Sequence, residues 1–326
     1  MGLVRLQVAC RRGKPVRSIC TSIAAMLVLA GTSFAATINV PGDHATIQGA
    51  IDASSDGDVI AIAAGTYYEA NLNTNNKAIT IGSASGDLDV TIDAQQGNRV
   101  FLIESGEGDD TVIKDLVITG GSNTGIYCLD SNPTISGCSI ENNTAAYGGG
   151  ISCYDSSPTI SGCTISGNTA SSGGGIYCHD DSSPTISDCM IEGNTAHYYG
   201  GGILCDYSSP TISSCTIAGN TASDGGGIFS YNSNPAISES QICGNELDQI
   251  NGDYEDYGGN IVADECPEED CVGDVNGDGF VNIQDLLGVI DQWGSCDDEC
   301  SADFNVDGTV NIQDLLIVLD AWGTCP

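Results

Sequence analysis

The chain has 326 residues, with 44 acidic and eight basic side chains, 43 glycines and 16 cysteines. Five of the basic residues fall in the first 35, a stretch without Asp or Glu, so the rest of the chain sets three basic side chains against 44 acidic ones. A surface this acidic repels nucleic acid and anionic membrane and favours divalent cations, while an apolar content of 40% excludes disorder by composition.

Residues 1–35 carry the basic residues Arg5, Arg11, Arg12, Lys14 and Arg17, then an apolar run from Ile23 to Ala30, then small residues at Ser33 and Ala35. This order reads as a secretory signal cleaved after Ala35, and the apolar run is short for a membrane span. The expected location is extracellular or at the cell surface, without membrane insertion after cleavage. Disulfides persist there.

Thr37-Ile38-Asn39-Val40-Pro41-Gly42-Asp43 reads as a strand, and Thr46 as the N-cap of a short amphipathic helix. Gly57-Asp58-Val59-Ile60-Ala61-Ile62 and Gly65-Thr66-Tyr67-Tyr68-Glu69 follow. From about residue 123 to 262 the sequence repeats. Five segments align on Pro133, Pro158, Pro184, Pro210 and Pro235, spaced 25, 26, 26 and 25 residues apart. Two residues after each proline is Ile (135, 160, 186, 212, 237), seven after it another Ile (140, 165, 191, 217, 242), and ten after it Asn (143, 168, 194, 220, 245). Glycines precede a third Ile: Ile151, Ile176, Ile203, Ile228 and, after a longer loop, Ile261. A unit of this size cannot bury its own apolar face, but stacked units can, as a solenoid of one coil per repeat rising about 4.8 Å per coil. The isoleucines then form interior ladders, and each asparagine sits at a corner, its amide bonded to the asparagine of the next coil.

Cysteines form two more columns, Cys128, Cys153, Cys178, Cys205 and Cys138, Cys163, Cys189, Cys215. Ser230 and Ser240 replace them in the last coil, and Leu116 holds the second position in an earlier one. Packing thiols and disulfides both satisfy this pattern; a metal–thiolate ladder does not, because the repeats contain no Cys-x-x-Cys.

One edge of the coils carries acids and aromatics: Asp130, Tyr154, Asp155, His179, Asp181, Asp206, Tyr207 and Tyr231. A solvated acidic turn is the plainer account of them; a polysaccharide-binding surface is the functional one. No catalytic residue is assigned. The basic residues Lys77, Arg99 and Lys114 lie outside the regular repeats, and nearly uniform coils do not supply the single constellation that catalysis needs.

Beyond the short acidic linker, placed at 263–270, two twelve-residue loops run from Asp274 to Asp285 and from Asp303 to Asp314. Side-chain oxygens at positions 1, 3, 5, 9 and 12 with a carbonyl from position 7 suit calcium. These are Asp274, Asn276, Asp278, Phe280 (carbonyl), Asn282 and Asp285, then Asp303, Asn305, Asp307, Thr309 (carbonyl), Asn311 and Asp314, for two calcium ions. A helix follows each loop, since Val281–Leu287 recurs as Val310–Leu316, 29 residues on, and Trp293-Gly294 as Trp322-Gly323. Cys243, Cys266, Cys271, Cys296, Cys300 and Cys325 read as disulfide staples for this small module.

The order of strand, capped helix and Gly-Thr-Tyr-Tyr-Glu at the start resembles the N-terminal cap of pectin-lyase-like right-handed parallel β-helix proteins. The resemblance covers about residues 36–262. The Gly-Gly-Gly-Ile and Ile-x-x-Asn elements also resemble repeats of polymorphic outer-membrane adhesins. The duplicated loop–helix at 271–326 resembles a dockerin type I domain. That resemblance implies a calcium-folded module docking on a cohesin domain, although both helices lack the basic residues common in cellulosomal members. The fold expected is therefore an all-β right-handed parallel β-helix solenoid with a small α-helical calcium-binding C-terminal domain. The expected role is adhesion or polysaccharide association; the alternative is a polysaccharide lyase or O-glycosyl hydrolase carried on a dockerin.

Overall fold

The computed structural model describes residues 35–266, 273, 275–276, 280–295, 301–305, 308–320 and 322–324, with the backbone alone at 280, 295, 323 and 324. The signal assigned to 1–35 lies outside them except for Ala35. So do linker residues 267–270 and Cys271, Cys296, Cys300 and Cys325.

Each coil bends after three or four residues, because single left-handed positions interrupt the strands. Gly137, Gly162, Asp188, Ser214 and Glu239, with φ between 49° and 60°, turn the chain from the first strand of a repeat to the second. Stacked coils then form three parallel sheets, of ten, nine and seven strands among the described residues, with a short three-stranded ribbon beside the third. Pairing is in register throughout. Ile135, Ile160, Ile186, Ile212 and Ile237 are direct neighbours in the first sheet, and Ile140, Ile165, Ile191, Ile217 and Ile242 in the second. All ten are fully buried. Each such side chain contributes about 1.5–3 kcal/mol by leaving water.

The third ladder departs from the sequence reading at its end. Ile228 pairs with Ile250, whereas Ile261 pairs with Gln241 in the second sheet and is exposed. The last coil is shorter than the repeat, so the third position falls eleven residues before the one that the longer spacing selects.

The asparagine corner is as expected. The side-chain amide of Asn143 donates to Asn168 Oδ1 (3.1 Å), Asn168 to Asn194, Asn194 to Asn220 and Asn220 to Asn245 (3.0 Å each). The same oxygens accept backbone N–H groups of the preceding coil. Gly121 N–H caps the free oxygen at one end, and Gln249 Oε1 accepts from Asn245 (2.9 Å) at the other. A serine column two residues before each proline plays a similar part. Ser156 Oγ accepts from Ser131 N and Ser182 Oγ from Ser156 N (both 3.0 Å), and the buried Glu107 receives the Ser131 hydroxyl (2.9 Å). Burial opposes the Glu107 charge, but hydrogen bonds from Thr74, Ser105 and Asn76 outweigh it and hold the pKa below its usual value. Glycines meet the opposite demand: at Gly150, Gly175 and Gly202 a Cβ would come within 2.6–2.8 Å of the next coil's carbonyl oxygen.

At the N-terminal end, α1 (Ile47–Ala53) buries Ile47, Ala50 and Ile51 against the first coils, with Thr46 Oγ1 accepting from Gly49 N (3.1 Å). Glu69 accepts from the N–H groups of Ile47 and Gln48, and Lys77 Nζ donates to the carbonyls of Ile51 and Asp52. Both helix ends are thus satisfied by the coil beneath.

The eight ladder cysteines are buried free thiols. Burial pushes Cys205 up to about 12, and hydrogen bonds to the Cys153 thiol, then burial, raise Cys128 and Cys178 well above the ordinary thiol value. They pack rather than react. Cys243 and Cys266 form a disulfide, but it closes the last coils of the solenoid rather than stapling the C-terminal module. Closing a loop of this length contributes about 3 kcal/mol.

Two outcomes follow from this core. Asn194→Ala removes an acceptor of two bonds and a donor of two, including one to Ile165 O (2.8 Å), and should lower stability by about 3 kcal/mol or more in urea titration. Alkylation with peptide mapping should leave all eight ladder cysteines unmodified in the native protein and modify all eight after denaturation; ladder peptides linked by disulfides would contradict the packing role.

Candidate functional site

The third sheet makes the site. Its strands read Ile-x-Cys-x, so Ile and Cys point inward and the two other positions outward. One outward column holds Leu102, Tyr127, Ser152, Tyr177, Leu204 and Phe229; the other holds Leu129, Tyr154, His179, Asp206 and Tyr231. The ribbon beside this face contributes Tyr147 and Ser172, and Tyr198 and Tyr199 follow its last strand. Between face and ribbon runs a groove of about 560 Å³ lined by Tyr147, Ser172, Tyr177, Tyr198, Tyr199, Leu204, Asp206, Phe229 and Tyr231.

Stacking fixes the floor. Tyr177 lies between Tyr147 (centroids 5.1 Å) and His179 (5.5 Å), and Tyr199 packs on Phe229 (4.8 Å). The Tyr177 hydroxyl donates to Asp206 Oδ2 (3.2 Å). His179 Nδ1 lies 3.0 Å from the same oxygen, out of line for a hydrogen bond, and Nε2 lies 3.2 Å from Asp180 Oδ2. Burial raises the phenol of Tyr177 far above its usual range and that of Tyr154 to about 12, so both stay neutral donors. The rings of Tyr147, Tyr198, Tyr199 and Tyr231 remain about half exposed around the rim.

Of the eight edge residues singled out from sequence, Asp206 and Tyr231 line the groove. Tyr154 and His179 pack edge to face with one another, and each contacts Tyr177 from behind. Asp130, Asp155, Asp181 and Tyr207 occupy left-handed turn positions just past the strands, with φ from 46° to 58°, outside the groove lining. Asp tolerates that conformation, which accounts for three of the four acids. Tyr147, Tyr177, Tyr198, Tyr199, Leu204 and Phe229 were missed. The Ile-x-Cys alternation, with Ser230 for Cys in the last coil, marks Tyr177, Leu204 and Phe229 as outward; Tyr147 and Tyr199 share the position directly before the repeat's glycines, but nothing there says that they face the third sheet. The coils are also less uniform outside than inside. Leu, Tyr, His, Asp and Tyr succeed one another in one column, so the His179–Asp206 pair occurs once.

In the C-terminal module α2 (Ile283–Asp291) and α3 (Ile312–Asp320) each follow a loop. The two halves exchange short strands: Phe280–Val281 pairs with Gly323–Thr324, and Gly294–Ser295 with Thr309–Val310. Val281, Val289, Ala302, Val310 and Val318 form a separate small core. Asp285 is fully buried, its carboxylate accepting from the N–H groups of Val275, Asn276 and Asn282. Asp314 repeats this with Phe304, Asn305 and Asn311. Residues 271–326 contain no Lys, Arg or His. Two buried carboxylates without a cationic side chain fit a divalent cation, and the remaining described positions, Asn276, Asn282, Asp303, Asn305, Thr309 and Asn311, offer oxygen donors. Asp274, Asp278 and Asp307 lie outside the described residues.

Each helix also exposes an apolar stripe. Ile283, Leu287, Ile290 and Trp293 recur 29 residues later as Ile312, Leu316, Leu319 and Trp322, all 47–56% exposed. Among the described residues no helix is long and apolar enough to cross a membrane.

A family model described as the right handed beta helix region matches residues 77–245, and one for the dockerin type I domain matches residues 272–320. Among solved structures, pectate lyase Pel9A aligns at 15% identity over 71% of this chain and 68% of that one, with a TM-score of 0.50. A pectin methylesterase from Aspergillus niger aligns at 16% identity over 74% of this chain and 89% of that one, with a TM-score of 0.46. At 15% identity the likeness to the pectate lyase is one of fold. No curated protein sequence matches the chain.

If a divalent cation occupies these loops, its removal should unfold the C-terminal module, because backbone N–H groups alone would then offset the buried Asp285 and Asp314 carboxylates. Calorimetry of the full chain with and without chelator should lose one cooperative transition while that of the solenoid remains; an unchanged trace would count against a cation there.

Proposed function

Because the chain belongs to the right-handed β-helix family and ends in a dockerin type I domain, we propose that it is a secreted modular protein whose solenoid associates with polysaccharide and whose C-terminal module attaches it to a cohesin-like partner. The observation that carries the first half is the tyrosine groove. Its half-exposed rings offer flat apolar faces on which sugar rings stack, and Asp206 and Ser172 offer polar partners at its wall. The second half rests on the domain match and on the exposed apolar stripes, which a partner would cover. Two calcium ions, one per loop, hold those helices in place. Residues 1–35 serve export, and 263–270 join the two parts.

A second reading has one specific observation in its favour. His179 and Asp206 form a unique titratable pair beside the groove, and a unique pair is what a hydrolase or lyase would need. A panel of neutral, acidic and amino-bearing polysaccharides separates the two readings. Binding without product supports association. Turnover that His179→Gln and Asp206→Asn each reduce by about 100-fold or more supports the enzyme.

The docking half has its own test. Leu287→Asp combined with Leu316→Asp should weaken capture by an immobilised cohesin domain about 30-fold or more, with the calcium-dependent transition retained. Undiminished capture would place the partner elsewhere.

A further inference from the structure

We propose that the groove selects a saccharide bearing ammonium groups, an amino-sugar polymer rather than a polyuronate. The proposal rests on the reading of the groove as a glycan site and adds the charge of the ligand.

Charge is the first argument. Asp206 is the one formally charged side chain lining the groove, one quarter exposed and oriented by the Tyr177 hydroxyl. None of the three described basic side chains lines it. Lys77 Nζ is held by the carbonyls of Ile51 and Asp52, Lys114 pairs with Asp115 at 3.2 Å, and Arg99 lies over Tyr127. Apart from the His179 imidazole, whose Nδ1 lies 3.0 Å from Asp206 Oδ2 outside the groove lining, no basic side chain stands there to offset the repulsion between Asp206 and the carboxylates of a uronate chain. Among the described residues no group of three His, Cys, Asp or Glu side chains stands together to hold a bridging metal. The net charge of −36 works in the same direction over longer range, drawing in cationic ligands and turning away anionic ones.

The second argument is that this face already binds a cation. The Arg99 guanidinium carbon sits 4.2 Å from the centroid of Tyr127, in the same outward column as Tyr177 and two coils away. Tyrosine faces on this sheet therefore accept cation–π contact with a group of the chain itself. Around the groove, Tyr147, Tyr199 and Tyr231 are about half exposed, and the Asp206 carboxylate lines the same groove. An ammonium substituent on a stacked sugar could donate to Asp206 while its ring covers a tyrosine. An N-acetyl or hydroxyl substituent retains the stacking and loses the charge-assisted bond.

The experiment compares the full-length calcium-loaded protein with oligomers of glucosamine, N-acetylglucosamine, glucose and galacturonate of equal length, by calorimetric titration at mildly acidic pH. The glucosamine oligomer should bind about tenfold tighter than its acetylated form, the galacturonate oligomer should be weakest, and Asp206→Asn should abolish the tenfold preference. Tyr199→Ala should weaken all the ligands that bind. Glu192→Gln, an exposed acid on the second sheet, should leave the preference intact. Equal binding of the glucosamine and acetylated oligomers, tightest binding of galacturonate, or a preference that survives Asp206→Asn overturns the charge inference while the groove stands as a glycan site. Binding of none of the four overturns both.

Discussion

A buried side-chain amide that must find its donor and its acceptor one coil away keeps this solenoid in register. Asn168, Asn194 and Asn220 have no access to water, so a slip of one residue in any coil would strand several polar groups inside. The isoleucine columns supply the driving force but tolerate small shifts; the amide column does not. Its two ends are finished by groups outside the repeat, Gly121 N–H and Gln249, so the ladder stops without an orphan. The serine column, closed by Glu107, meets the same requirement at another corner.

That inward rigidity frees the outward positions. Once strand spacing and direction are set from within, outward residues can vary from coil to coil without cost to the core. In the third sheet they do vary, and the variation places Tyr177 and His179 of one coil beside Asp206 of the next. The groove is thus a consequence of the ladder: rings from neighbouring coils, Tyr154 with Tyr177 and Tyr147 with Tyr177, lie about one strand spacing apart and pack on each other before any ligand arrives. The C-terminal module is organised by the other available means. Among the described residues its buried core is five small side chains with Leu286, Phe304 and Leu315 packed against it, and backbone N–H groups hold the buried Asp285 and Asp314 carboxylates.

Much of the interior was legible because the repeat states each contact five times. Ile135 and its partners, the asparagine corner, Thr46 as N-cap and the loop–helix duplication all stand in the fold where the spacing put them. The corrections lie where repetition ends. Ile261 follows the longer spacing but joins the second sheet, since the final coil is short and Ile250 takes the third position. Cys243 and Cys266 lie near the C-terminal module in sequence yet close the solenoid. Within the repeats, Asp130, Asp155 and Asp181 stand at left-handed turns that Asp accommodates, outside the groove lining, which neither supports nor removes a ligand role for them.

The sequence alone determined the coil period, the inward residues, the in-register stacking and the paired oxygen-rich loops. Each is a local pattern that recurs in the same environment, so period and spacing suffice to read it. Only the tertiary structure decided which outward residues share a surface. Tyr147, Ser172 and Tyr199 recur at one place of the repeat and Tyr177, Leu204 and Phe229 at another, but that spacing does not say that the two columns face each other across a groove. How far each coil bends, and where the ribbon runs beside the third sheet, sets their separations. Those quantities arise from packing between coils and are not encoded within any single repeat.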